Sequence, residues 1–90
     1  MKRAMRSEQA TEQRVVDVLG WGGVLAILVA YILASTGMIV ATGAAFQILN
    51  ALGALGLIVE ARVKKDAQVV ALNVIWLAIA AWTLARSIMN

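Results

Sequence analysis

The sequence predicts an all-α integral membrane protein: a bundle of three transmembrane helices behind a short polar N-terminal tail. Three observations carry that expectation. The chain is 62% hydrophobic over 90 residues, with a mean hydropathy of +0.85. A soluble domain of this size lacks the polar surface to cover so much apolar sequence. The apolar residues come in three runs, each close to the ~20 residues that cross ~30 Å of hydrocarbon. The charged residues, 14% of the chain, fall almost entirely in the first seventeen positions and between Glu60 and Asp66, at or beyond the ends of those runs.

The same distribution excludes several classes of function. A pI near 10.0 points at first to nucleic acid. The net charge of +3, however, belongs to segments flanking the spans, and no soluble face remains to display it. The expected partners are the lipid bilayer and itself or another membrane protein, with no nucleic acid. The chain has no Cys and no His, which removes thiol nucleophiles, disulfides and nearly all zinc or copper sites. No cofactor is expected. There is no Pro either, so no span carries a built-in proline kink.

Residues 1–14 read as a polar, basic tail ahead of a membrane domain at 15–90. Lys2, Arg3, Arg6 and Arg14 stand against Glu8 and Glu12. A frayed terminus is one reading. An interfacial helix with its basic side chains on anionic headgroups is the other.

The first span is expected at 15–34, with Asp17 at its entry and Trp21 suited to the interface belt. The run is longer than the ~7–15 apolar residues of a signal peptide, and a second span follows at once. Gly22, Ala26, Ala30 and Ala34 recur every fourth residue. They form a ridge of small side chains that invites close approach of another helix. Tyr31 lies toward the far interface, as an anchor. Ser35-Thr36-Gly37 is the candidate turn, because Gly37 can adopt the left-handed conformation that ends a helix. A link this short makes an antiparallel hairpin.

The second span is expected at 38–59 and carries Gln47 and Asn50 inside an apolar run. At 100° per residue, Gly43, Gln47, Asn50 and Ala54 share one narrow face. An amide at bilayer depth needs a hydrogen-bond partner, since no water is there to serve it. That face must meet another helix or line a wet cavity. Glu60, Arg62, Lys64, Lys65 and Asp66 follow as a charged loop, with Arg62, Lys64 and Lys65 placed to touch headgroups.

The third span is expected at 67–89. Asp66, Val69, Asn73, Trp76, Ala80, Thr83 and Ser87 step by three and four, a seam that is small or polar. Leu72, Ile75 and Ile79 then point to lipid. At 1.5 Å per residue, Asn50 lies roughly 13 Å and Asn73 roughly 9 Å from the inner boundary, with Trp76 near the depth of Asn50. The expectation is a bond between Asn50 and Asn73 across the second and third helices. Such a bond averages only about 0.6 kcal/mol in a membrane. An unpaired amide in hydrocarbon costs several times more. The amides therefore select which faces pair, and close packing at small residues supplies most of the cohesion.

Lys and Arg counts set the expected orientation. Lys2, Arg3, Arg6, Arg14, Arg62, Lys64 and Lys65 lie on one side and only Arg86 on the other. The positive-inside rule puts the N terminus and the second loop in the cytoplasm and the C terminus outside.

The pattern Gly20-Trp21, Ala30-Tyr31, Gln47-x-x-Asn50-x-x-Gly53 and Leu72-Asn73-x-x-Trp76 resembles a widespread family of small, uncharacterised bacterial inner-membrane proteins, sometimes labelled permeases. The resemblance covers roughly 19–84. It implies three spans and a bacterial inner membrane, and brings no established activity. A weaker likeness is to the three-helix half-transporters that dimerise to move sugars. This chain lacks their Pro-Gln hinge, so that likeness rests on architecture alone.

The function expected is therefore non-enzymatic: a small subunit of a larger inner-membrane complex, or a self-associating interaction protein, acting through helix packing. The alternative is a homo-oligomeric permease for a small neutral solute. Its midplane pocket would be built from Gln47, Asn50, Asn73 and Trp76. An enzyme is not expected. Asp17, Glu60 and Asp66 read as solvated flanks, and no nucleophile–base pair can be assembled.

Overall fold

The computed structural model describes residues 2–89, with side chains from Ser7 onward. Met1, Asn90 and the side chains of Lys2, Arg3 and Arg6 lie outside the described residues. Three helices make up the chain: α1 (Lys2–Ser35), α2 (Ala44–Val63) and α3 (Ala67–Met89). Each contains a stretch long and apolar enough to cross a membrane. This is a three-helix membrane bundle.

α1 is one continuous helix of 34 residues, against 20 in α2. The polar N-terminal segment is therefore helical rather than frayed. Its Lys, Arg, Glu, Gln and Ala residues have high helix propensity, and neither Pro nor Gly interrupts them. The segment runs on from the span without a break, and residues 7–14 are exposed throughout. This extension gives the molecule its long dimension, 56 × 23 × 21 Å.

α1 ends where Gly37 adopts a φ of +79°. The Met38 N–H bonds back to the Leu33 carbonyl at 2.9 Å and the Gly37 N–H to Ala34 at 3.2 Å. Together they form a Schellman closure. The connection is longer than the expected three-residue turn, and α2 begins at Ala44 rather than at 38. Residues 36–43 form a loop instead. The Gly43 N–H bonds to the Val40 carbonyl at 2.9 Å, and the Gln47 side chain pins the Ala41 carbonyl at 2.8 Å. At its other end α2 runs on past 59 to Val63.

The α2–α3 turn repeats the closure with a lysine in the glycine position. Lys65 has a φ of +59°, and the Asp66 N–H reaches the Ala61 carbonyl at 2.8 Å. Asp66 then caps α3, its carboxylate accepting from the Val69 N–H at 3.2 Å.

α2 is the centre of the bundle. α1 packs on one of its faces and α3 on another, and among the described residues α1 and α3 do not pack on each other. The α1–α2 contact is a glycine seam. Val16, Gly20, Gly23 and Ala30 are buried on α1, and Gly53 and Gly56 face them from α2. A methyl group added at Gly23 would sit 2.6 Å from the Gly53 carbonyl oxygen, and one at Gly53 would sit 2.7 Å from that of Gly23. At Gly20 it would run into the Glu60 carboxylate. Toward the loop 36–43 the seam closes with Tyr31 edge-on to Phe46, ring centroids 6.0 Å apart. Such a pair contributes about 0.5–1.5 kcal/mol. Tyr31 thus packs on a neighbouring ring, beyond the anchor role expected of it.

The expected ridge of Gly22, Ala26, Ala30 and Ala34 is shifted by the real geometry. Ala30 is fully buried, but Gly22 has nothing within 4 Å of the position its Cβ would take. Gly22 and Ala26 instead border a shallow apolar groove shared with Leu52 and Leu55. The buried positions 16, 20, 23 and 30 step by four, three and seven, a heptad spacing that keeps one face of a long helix against its neighbour. A strict four-residue step drifts off that face.

Large apolar side chains point outward: Val18, Trp21, Leu72, Ile75, Ile79 and Trp82 are all exposed. The buried hydrophobic residues are alanines and Val16. Cohesion here comes from close backbone approach, as expected where lipid is as apolar as the side chains it would replace.

Candidate functional site: a buried amide layer

The amide face of α2 is turned into the bundle. Asn50 is 1% exposed, Asn73 7% and Gln47 8%. Asn50 lies on the second turn of the central helix. It is placed there by the small residues around it, because Gly53 and Ala54 keep the neighbouring helices close.

Each amide has a defined partner. The Asn50 Nδ2 donates to the Phe46 carbonyl of its own helix at 2.9 Å. Its Oδ1 accepts from the Trp76 indole Nε1–H across the α2–α3 interface at 3.4 Å. Asn73 donates to the Val69 carbonyl of its own helix at 2.9 Å. Gln47 donates to the Ala41 carbonyl in the loop. Among the described residues, no buried side-chain nitrogen or oxygen lacks a partner.

The expected Asn50–Asn73 bond is not formed. Each asparagine finds a carbonyl four residues back on its own helix, which lies within reach and needs no precise interhelical register. The cross-helix link is Trp76 to Asn50 instead, between two groups expected to share one depth. At 3.4 Å it is a long hydrogen bond. It fixes rotation of α3 about α2 more than it adds energy. Gln47 stands apart from that pair, tying down the loop.

A second polar cluster closes the bundle at the 64–66 turn. The Lys64 Nζ lies 3.7 Å from the Asp17 carboxylate on α1 and 3.5 Å from Glu60 on α2. The Gln13 side chain adds a bond to Asp17 at 3.0 Å. These pairs are half-exposed, so each contributes at most about 1 kcal/mol. Lys64, placed by the sequence to touch headgroups, also pairs within the chain. Its spacing from Glu60, one helical turn, was a readable sign of pairing. Its link to Asp17 needed the fold. Arg62 and Lys65 remain exposed beside it. Gly20, Gly23 and Glu60 also hold the interface without having been singled out as a contact set.

Chemically, the amide layer can position helices. Each of its three amide nitrogens gives one N–H to a carbonyl of the chain, and the indole of Trp76, 40% exposed, is its most accessible part. No curated protein and no solved structure matches the chain. A sequence model of an uncharacterised protein family matches residues 16–90, which take in the glycine seam, the amide layer and both connecting turns, and the chain belongs to that family.

Proposed function

We propose that this protein is a non-enzymatic packing module of a bacterial inner membrane, working as a small subunit of a larger complex or by association with itself. Its N terminus and the 64–66 turn face the cytoplasm, and its C-terminal end faces outward. The observation that carries this reading is the state of Asn50: nearly inaccessible, with donor and acceptor both engaged inside the chain. A solute pocket needs polar groups that are free to trade water for ligand. Within a single copy Asn50 is therefore a poor ligand for the midplane permease reading.

The mass of the protein released gently from its native membrane tests this reading. A whole-number multiple of the protomer, or a complex of fixed stoichiometry, is the expected result. A lone protomer, or a homo-oligomer that carries a neutral solute into liposomes, would overturn it.

A further inference from the structure

The cations of this chain are divided unequally between its two ends. At the 64–66 end, Lys64 is matched by Asp17 and Glu60. At the opposite end stands Arg86, in the last turn of α3. The five acidic residues are Glu8, Glu12, Asp17, Glu60 and Asp66. All belong to the other end, and Asp66, which caps the start of the same helix, is about 30 Å away along it. Among the described residues, no acidic side chain lies at the Arg86 end.

Beside Arg86 the loop 36–43 and the end of α3 leave an open hollow. It is lined by Thr42, Trp82, Thr83, Arg86 and Ser87. The Thr83 hydroxyl already donates to the Ile79 carbonyl at 2.9 Å, so it has no proton to offer. Thr42 and Ser87 each bring a hydroxyl that can donate one bond. Trp82 is exposed and forms an apolar wall. A guanidinium, two hydroxyl donors and an indole wall, with no acid among them, suit a tetrahedral oxyanion. Arginine binds phosphate oxygens in pairs, more strongly than a neutral donor does. The reduced dielectric at a membrane boundary strengthens the attraction further.

We propose that this hollow is a binding site for a phosphate group, held by Arg86 with Thr42 and Ser87 as donors and Trp82 alongside. The phosphate can belong to a lipid headgroup or to a soluble anion, and the two are separable. The test uses the full chain, 15N-labelled, in uncharged maltoside micelles. The Arg86 Nε–H resonance is identified by its loss in Arg86→Gln. It is then titrated with phosphatidylglycerol and, separately, with inorganic phosphate.

A saturable shift of that resonance is expected, with the Arg62 resonance moving less. A shift with phosphatidylglycerol alone assigns a headgroup site; a shift with inorganic phosphate as well assigns a soluble anion. The double variant Thr42→Val/Ser87→Ala should weaken the binding several-fold while keeping the Arg86 resonance in place. The proposal is overturned if neither probe moves Arg86. It is equally overturned if Arg62 moves as much, or if the double variant titrates as the wild type does.

Discussion

Asn50 and Asn73 are both buried amides, yet they are not equivalent. Asn50 accepts a bond from another helix, whereas the bond Asn73 donates stays within α3. Asn50→Leu removes the acceptor and leaves the Trp76 N–H without a partner. It is expected to cost about 1–2 kcal/mol in unfolding from micelles, with membrane insertion unchanged. Asn73→Leu is expected to cost less in the same measurement, because no link between helices is lost. Equal losses would mean that Asn73 holds α2 in some way its Val69 bond does not account for. The need of each amide for a partner was plain in the sequence, because hydrocarbon offers none. Which partner it takes was not. A carbonyl one turn back on the same helix competes with any group across the interface, and side-chain spacing alone does not decide between them.

At the level of elements, the α1–α2 contact rests on backbones brought together by glycine. A methyl at Gly56 would lie 2.5 Å from the Leu19 carbonyl oxygen, while one at Gly22 would meet nothing. Gly56→Ala should therefore force α1 away and destabilise the bundle by about 1–3 kcal/mol. Gly22→Ala, on the same pair of helices, should change stability by less than about 0.5 kcal/mol. Unfolding of the two variants in parallel checks both values, and equal effects would contradict the seam described here. Helix boundaries were only partly legible for a related reason. Hydropathy reports where lipid lies, not where a helix begins or stops. It hid the helical nature of 2–14, which has no apolar face. It also drew Met38, Ile39 and Val40 into the second span, although Gly37 and Gly43 hold them in a loop. The number of spans and the amide face of α2 were legible, because both follow from composition and period.

For the whole molecule, the placement of basic residues makes a prediction of orientation. Alkaline phosphatase fused after Asn90 is expected to be active, and a fusion at Lys65 silent. The reverse pattern would turn the bundle over in the membrane and place the Arg86 hollow in the cytoplasm. With α1 longer than α2, the helix extends about 20 Å beyond the 64–66 turn. In the proposed orientation that length stands in the cytoplasm as an upright post.

The central position of α2, with α1 and α3 meeting only through it, also sets an order for biosynthesis. A ribosome makes α1 first, and its glycine side has no seat until α2 follows. α3 emerges last and needs only the helix made just before it. Each finished segment docks on its immediate predecessor, so assembly can keep pace with translation, and no earlier pairing has to open to admit a later one.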